Sequence, residues 1–190
     1  SNLALERFGA SKWIARIMVS WGILSALMAA VYDEHSFYAL RFFLGVAEAG
    51  FFPGIILYLT YWYPAEYRAR FLAAFAIAVP VSTAIGAPIS GLLLGLDGVM
   101  GLKGWQWLFI IEGVPSVLLG IVTWFYLTDR PEKADWLSAE QKAWLKGKLD
   151  AEVAAKQAAK HFTFLEALSS SKVLALSAIY FGFVASLYGM

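Results

Sequence analysis

Cysteine is absent from this chain, and charged residues are scarce. Charged side chains make up only 15% of the residues, and the formal net charge is +1. Without cysteine there is neither a disulfide framework nor a thiolate metal site, and so small a net charge gives no sign of nucleic-acid binding. Apolar residues make up 60% of the sequence, and its mean hydropathy is +0.64. Because soluble domains carry about 25% charged residues, this composition predicts a polytopic membrane protein.

Long apolar runs predict where the chain crosses the membrane. A helix needs about 20 mainly apolar residues to span the hydrocarbon layer of ~30 Å. Four runs are long enough and a fifth is incomplete: Trp13 to Tyr32, Phe37 to Trp62, Phe71 to Leu96, Trp105 to Leu127, and Val173 to Met190. Pro80 and Pro88 interrupt the third run, which predicts a kink there. We therefore expect an all-α membrane protein with about four complete transmembrane helices and part of a fifth.

One polar connector, 128–172, is long for a link between membrane helices. Within it, Ser138 followed by Gln141 is a capping-box pattern that predicts the start of a helix. The residues after it have the spacing of an amphipathic helix that lies along the membrane surface. A short second helix is expected at Thr163 to Ser169.

The basic residues predict the orientation of the spans. All lysines and arginines except Arg41 and Lys103 fall on one side of them. Under the positive-inside rule that side is cytoplasmic. We therefore expect a multi-pass protein of the inner (plasma) membrane, with residues 1–12, 64–70 and 128–172 in the cytoplasm.

Two charged residues lie inside the second run. Arg41 and Glu48 are two helical turns apart, so on a helix they share one face, separated by about 10 Å along the axis. Glu48 would lie near the bilayer midplane, where a charge costs at least ~2.5 kcal/mol and usually marks an ion or substrate path. The alternative interpretation is a static ion pair that only holds the helix bundle together.

Glu112 is a second intramembrane acid, inside the run from Trp105 to Leu127. A proton relay and a tie between neighbouring helices are both open for it. We favour the tie, because no basic residue shares the helix.

Patterns of enzyme active sites are missing from the sequence. Neither an HExxH zinc motif nor a GxSxG nucleophile motif occurs. Both histidines, His35 and His161, fall in predicted loops, where a histidine is usually only solvated. We therefore expect a protein that is not an enzyme and that has no metal site and no cofactor.

Three motifs resemble those of a known family. NLALERFG at 2–9, followed by Lys12, is similar to the major facilitator signature in the loop between the second and third spans. RFFLGVAEAGFFPG at 41–54 and WQWLFIIEGVP at 105–115 resemble the anion:cation symporter branch of that superfamily. The resemblance covers essentially the whole chain.

This resemblance implies a place for each segment in the major facilitator fold. Residues 1–127 would form part of the N-terminal six-helix half, from the end of helix 2 through helix 6. Residues 128–172 would be the central cytoplasmic loop, and 173–190 would begin helix 7 of the C-terminal half. The chain would then be a fragment, and the rest of the same transporter would be its partner.

The resemblance also implies roles for individual residues. Glu48 matches the protonation site of proton-coupled members, and Arg41 matches the arginine that governs its charge and helps to bind the anion. Glu6, Arg7 and Gly9 match the gating loop.

The first motif departs from the family pattern. Asn2 stands where glycine is common, Glu6 replaces the frequent aspartate, and Ala10 and Ser11 stand where a basic pair is frequent. The gating contacts of the family therefore transfer less directly to this chain than its intramembrane pair.

The implied function is secondary active transport, with proton-coupled symport of a small organic anion such as a sugar acid or a dicarboxylate. The residues leave open which anion is carried, whether sodium replaces the proton, and the stoichiometry. The alternative is a non-transporting membrane protein, a receptor or a structural protein, in which Arg41 and Glu48 form a static ion pair.

Overall fold

A computed structural model of the chain describes residues 2–157 and 169–188. Within these ranges the structure is helical and contains no strand. The chain forms two compact units, Ser1–Leu149 and Asp150–Met190, which we describe separately.

The helices follow one another with short connections. The first unit contains α1 (Asn2–Phe8), α2 (Ala10–Leu27), α3 (Glu34–Glu48), α4 (Phe51–Trp62), α5 (Ala65–Leu94), α6 (Gly104–Tyr126) and the start of α7 (Ala139–Gln157). Short 3-10 helices lie at Met28–Ala30, Val99–Gly101 and Pro131–Lys133. The second unit contains the end of α7 and α8 (Ser171–Tyr188).

Four helical segments are long and apolar enough to cross a membrane: Ala10–Ala30, Glu34–Trp62, Ala65–Leu94 and Gly104–Tyr126. A shorter apolar helix covers Ser171–Phe183. These findings confirm the predicted all-α class, with four complete spans and part of a fifth.

The second predicted span consists of two helices. α3 ends at Glu48 and α4 begins at Phe51, although Ala49 and Gly50 keep right-handed helical backbone angles. Proline has no backbone N–H, so Pro53 cannot donate the hydrogen bond that a regular helix would direct to the Ala49 carbonyl. The single membrane-spanning helix that we expected over Phe37 to Trp62 is therefore divided at its middle, next to Glu48.

The predicted loop at 64–70 is mostly helical. α5 begins at Ala65, after Pro64 at the N-cap. Tyr67 N–H donates to the Pro64 carbonyl at 3.0 Å, and the Arg68 guanidinium donates to the Tyr63 carbonyl at 2.9 Å. The Pro64 carbonyl accepts the first hydrogen bonds of α5, so the basic residues here extend α5 instead of forming a loop. The helix then continues to Leu94 through both internal prolines.

His35, which we expected in a loop, lies in the first turn of α3. Asp33 is the N-cap of that helix and accepts a hydrogen bond from Ser36 N–H at 2.8 Å. The His35 side chain is 86% exposed. His161 lies outside the described residues.

The most extensive helix packing joins α2 to α6. A Cβ atom added to Gly22 would lie 2.7 Å from the Gly113 carbonyl oxygen, so the two backbones are in direct contact. Ser116 Oγ donates to the Met18 carbonyl at 3.0 Å, and Gln106 Nε2 donates to the Ala29 carbonyl at 2.7 Å. Small residues and interhelical hydrogen bonds are the main means of association in membranes. This pair therefore has the most extensive helix–helix contact in the first unit.

The predicted capping box at the start of α7 is confirmed. Gln141 N–H donates to Ser138 Oγ at 3.2 Å, and Ser138 N–H donates to Gln141 Oε1 at 3.0 Å. The helix expected at Thr163 to Ser169 lies, apart from Ser169, outside the described residues.

Candidate functional site

Arg41 and Glu48 both lie on α3, as predicted. Each side chain is exposed in the chain as described. The Arg41 guanidinium lies 5.2 Å from the centroid of the Phe37 ring, one turn earlier on the helix. This distance is typical of a cation–π contact, so among the described residues the arginine is supported by an aromatic face and not by a carboxylate.

Glu48 occupies the interruption between α3 and α4. It is the last residue of α3 and lies at the middle of the Glu34–Trp62 span. A pocket of about 250 Å³ adjoins it, lined by Gly45, Glu48, Ala49, Phe51 and Phe52. A Cβ atom added to Gly45 would have no atom within 4 Å. The carboxyl group is therefore next to open space at membrane depth.

The two charged residues are not joined in this structure. Among the residues that the structure describes, no ion pair connects Arg41 to Glu48. The static ion pair of the alternative interpretation is therefore not formed between these two residues in this structure.

Glu112 contacts the neighbouring helix. Ser90 Oγ on α5 lies 2.6 Å from Glu112 Oε1 on α6. This is the kind of link between helices that we favoured for Glu112 from the sequence.

The three residues assigned to the gating loop differ in their surroundings. Glu6 and Arg7 are exposed on α1, and the Arg7 guanidinium lies 5.7 Å from the Phe8 ring centroid. Gly9 joins α1 to α2 with φ +91°, a conformation that favours glycine. A Cβ atom at Gly9 would lie 2.9 Å from an Asp129 carboxylate oxygen. Glycine at this position therefore provides both the turn and the space for Asp129.

Asp129 is the polar residue that the sequence interpretation missed. Its Oδ1 accepts hydrogen bonds from Ser11 N–H at 2.8 Å and from Ser11 Oγ at 2.9 Å. Lys133 Nζ lies 4.0 Å from the other carboxylate oxygen. Ser11 itself is buried, with 8% of its surface exposed. The sequence shows this acid just after the fourth apolar run, but its partner Ser11 lies more than a hundred residues earlier.

Further contacts tie together the same ends of α4 and α6. Tyr58 Oη donates to the Thr128 carbonyl at 3.0 Å. The Arg130 guanidinium lies 4.4 Å from the Tyr61 ring centroid. Together with the Asp129 contacts, these interactions hold the start of the polar connector against α2 and α4.

One titratable group at the opposite end of the spans has a shifted pKa. Hydrogen bonds from the side chain and the backbone N–H of Ser36 hold the pKa of Asp33 below its ordinary value. Over residues 2–157 and 169–188, no group of three or more histidine, aspartate and glutamate residues is arranged to hold a metal ion.

Family comparison identifies the fold. A sequence profile described as Major Facilitator Superfamily matches residues 2–190. The chain belongs to the Major Facilitator Superfamily. Members of this superfamily are multi-pass membrane proteins, and the four membrane-length helices agree with that assignment.

Relatives in the superfamily are named as transporters. The chain is 57% identical to a protein of Agrobacterium vitis named "Putative tartrate transporter", over 99% of the chain and 43% of that relative. It is 50% identical to "Putative metabolite transport protein NicT" of Pseudomonas putida, over 100% of the chain and 44% of the relative. It is 45% identical to "Quinolone resistance transporter" of Acinetobacter baumannii, again over 100% and 44%. The chain thus spans less than half the length of these major facilitator relatives.

Proposed function

We propose that this chain is part of a secondary transporter that carries a small organic anion together with a proton. Residues 1–127 would belong to its N-terminal half, 128–172 to the central cytoplasmic loop, and 173–190 to the start of the C-terminal half. The observation that carries the proposal is Glu48, a carboxyl group at mid-membrane that adjoins a pocket, with Arg41 on the same helix. The transporter names of the relatives support it.

Arg41 is the residue that would bind the anion. Its guanidinium contacts the Phe37 ring and has no ion pair among the described residues. A planar guanidinium matches a carboxylate with two parallel hydrogen bonds. A sugar acid or a dicarboxylate supplies such a carboxylate.

Glu48 would couple the anion to the proton. An anion bound at Arg41 and the ionised Glu48 carboxylate would both be negative and would lie about 10 Å apart along α3. At an effective dielectric constant of ~20, two like charges at this distance repel by roughly 1.7 kcal/mol. A proton on Glu48 removes the repulsion between its carboxylate and a bound anion. Binding of the anion and binding of the proton therefore favour each other, which is the thermodynamic requirement of symport.

The glycine–proline interruption beside Glu48 would allow α3 and α4 to move separately. In the major facilitator fold, alternating access comes from rocking of the two halves of the transporter around a site near the midplane of the membrane. A helix divided next to its coupling residue concentrates bending at the point where the charge changes.

The proposed location is the inner (plasma) membrane. Residues 1–12, 64–70 and 128–172 would face the cytoplasm, with 65–70 forming the start of α5. The contacts of Asp129 with Ser11 would then be cytoplasmic, next to the gating loop formed by Glu6, Arg7 and Gly9. The partners of the chain would be the anion, protons, the lipid bilayer and the rest of the transporter.

Uptake by the complete transporter tests this proposal. Membrane vesicles with an imposed inward proton gradient would be supplied with labelled tartrate, other dicarboxylates, sugar acids and a quinolone. We expect the wild type to accumulate one organic anion and Glu48→Gln to lose gradient-driven accumulation. Arg41→Gln is expected to lose binding of the same anion.

Glu34→Gln is the matched control, because it makes the same change on the same helix at the membrane boundary. It should accumulate the anion as the wild type does. Accumulation by Glu48→Gln equal to the wild type would reject Glu48 as the coupling residue. Accumulation driven by a sodium gradient instead would reject the proton as the coupling ion.

A non-transporting membrane protein remains the alternative function. It predicts no accumulation of any anion in the panel, with either gradient, by a protein that is correctly inserted.

A further inference from the structure

Ser90 has two short oxygen contacts and only one hydrogen to share. Its Oγ lies 2.9 Å from the Gly86 carbonyl oxygen on its own helix and 2.6 Å from Glu112 Oε1 on α6. A serine hydroxyl donates one hydrogen bond and accepts up to two, whereas a carbonyl oxygen can only accept. The two contacts are therefore not equivalent.

The protonation state of Glu112 decides how the hydrogen is used. When Glu112 carries a proton, its O–H donates to Ser90 Oγ, and the Ser90 hydrogen is directed to the Gly86 carbonyl. When Glu112 is ionised it can only accept, so the Ser90 hydrogen must turn towards it. The Gly86 contact then loses its hydrogen bond, or one hydrogen is shared in a weaker three-centre bond. Both full hydrogen bonds exist together only with neutral Glu112.

The segment of α5 that would respond is already weakened. Pro88 lies between Gly86 and Ser90, and it cannot donate a hydrogen bond to the Ala84 carbonyl one turn earlier. A serine hydroxyl that bonds the carbonyl four residues earlier often bends a helix. A Cβ atom added to Gly86 would have no atom within 4 Å, so space is available for movement.

No other described charge competes for Glu112. Its own helix carries no lysine or arginine, and α5 carries none after Arg70. The charged residues of the remaining elements packed against α6 are Lys12 and Arg16 on α2, in its first two turns. In the turn before α6, the Asp97 carboxylate is bound to Gly104 N–H at 2.9 Å, and Lys103 lies at the helix boundary.

The geometry points to Glu112 as a second proton-binding residue, which passes its protonation state to α5 through Ser90. Proton binding would direct the Ser90 hydrogen to Gly86 and fix the bend next to Pro88. Proton release would direct that hydrogen to Glu112 and free the bend. This inference rests on the proposed proton-coupled transport for its biological meaning, but its test requires no transport.

Infrared difference spectra of the complete transporter, recorded between high and low pH, test the proton site. We expect a protonated-carboxyl band that is lost in Glu112→Gln and shifted in frequency in Ser90→Ala. Ser90→Thr keeps the hydroxyl and should keep the band in place. Glu34→Gln should leave the band unchanged, and Glu48→Gln should remove a different component. A band that survives unchanged in Glu112→Gln overturns the inference.

A distance measurement tests the connection to α5. The 190 residues of this chain contain no cysteine, so once any cysteine elsewhere in the complete transporter is replaced, spin labels can be placed through Leu92→Cys and Leu118→Cys, two positions on α5 and α6 that are exposed in this chain. We expect the distance between the labels to change with pH in the wild-type background and to stop changing in Glu112→Gln and Ser90→Ala. Glutamine keeps the packing, because its amide N–H can still donate to Ser90 Oγ. A pH response that persists in both variants, or that is absent from the wild type, overturns the inference.

Because neither readout depends on substrate, the two proposals can fail separately. Glu48→Gln could still transport while the carboxyl band and the pH-dependent label distance both depend on Glu112. The coupling role of Glu48 would then fail, and the link from Glu112 through Ser90 to α5 would stand. If transport depends on Glu48 but the pH response of the label distance is the same in Glu112→Gln as in the wild type, the link from Glu112 through Ser90 to α5 fails and the proposed symport stands.

Discussion

The α2–α6 pair and helix α5 differ in how much of each helix is buried against its neighbours. α2 buries Ile14, Ala15, Ile17 and Gly22, and its backbone touches that of α6. α5, although longer, buries only Leu93 in the chain as described. At its end the Leu94 backbone adjoins Gly104 of α6, and elsewhere its neighbours reach it through side chains, such as Ser90 with Glu112 and the Phe75 ring with Phe51.

Within this chain, which spans less than half the length of its relatives, the difference distinguishes an extensively packed helix pair from helices with fewer contacts. Direct backbone contact leaves no room for sliding, since packed interiors change only between discrete arrangements. Helices joined through a few side chains can shift at lower cost. Arg41, Glu48 and Ser90 all lie on the less packed helices, where a change of charge can alter the structure.

The largest effect should come from filling the α2–α6 contact. In Gly22→Ala the new Cβ would lie 2.7 Å from the Gly113 carbonyl oxygen and 2.9 Å from Val117 N, both backbone atoms. Overpacking of this kind costs about 1–3 kcal/mol, so we expect a clear fall in Tm in detergent. Gly91→Ala on α5 is the matched control, because nothing lies within 4 Å of its added Cβ. Equal Tm values for the two variants would show that the α2–α6 contact at Gly22 is no more closely packed than α5 at Gly91.

Loss of the Asp129 contact should have the next largest effect. Asp129→Ala leaves the buried Ser11 N–H and hydroxyl without their acceptor. An unsatisfied buried polar group costs about 1–3 kcal/mol, and we expect a corresponding loss in thermal stability. Asp135→Ala, at an exposed position of the same connector, should change stability much less. A loss as large for Asp135→Ala would mean that the Ser11 contact is not what matters.

Repair of the interruption beside Glu48 should have a smaller, opposite effect. Pro53→Ala restores a backbone N–H that can donate to the Ala49 carbonyl, a hydrogen bond worth about 0.5–1.5 kcal/mol. We expect slower hydrogen exchange over residues 49–54 and a small rise in Tm. Pro80→Ala, inside the continuous α5, should leave exchange around Glu48 unchanged. Unchanged exchange in Pro53→Ala would show that the proline does not cause the interruption.

The smallest effect concerns pH at the start of α3. Because the Ser36 hydrogen bonds keep the pKa of Asp33 below 3.8 in the folded protein, ionised Asp33 contributes stability above that pH. The contribution is lost as the pH falls through the lower folded pKa. We expect the difference in Tm between the wild type and Asp33→Asn to shrink as the pH is lowered below 3.8. Ser36→Ala should reduce this pH dependence without abolishing it, because residue 36 keeps its backbone N–H bond to Asp33 Oδ1. A difference that is constant with pH would contradict this assignment.

The fold class and the intramembrane charges were predictable from local properties of the sequence. Apolar runs of sufficient length must become helices in a bilayer, because every backbone polar group needs a partner there. The shared face of Arg41 and Glu48 follows from helical spacing alone. The capping box of Ser138 and Gln141 is also a local pattern, and it formed as predicted.

The errors at helix boundaries have local causes that were visible but ambiguous. α5 begins directly after Pro64, in a segment that we expected to be a cytoplasmic loop. A proline between two apolar runs is compatible with a loop and equally with the start of the next helix. Pro53 and its neighbouring glycines permitted a bend without requiring a division of the helix. His35 joined α3 because Asp33 caps the helix.

By itself, the sequence determined that this protein is a bundle of membrane-spanning helices with a charged face on α3, because hydropathy and helical periodicity act within one segment. Only the tertiary structure decided which distant residues meet. Gly22 contacts Gly113, Ser11 binds Asp129, and Ser90 meets Glu112 because helices far apart in the chain pack side by side. Spacing along one helix carries no information about the rotation and depth of its neighbour. Packing between helices fixes those quantities.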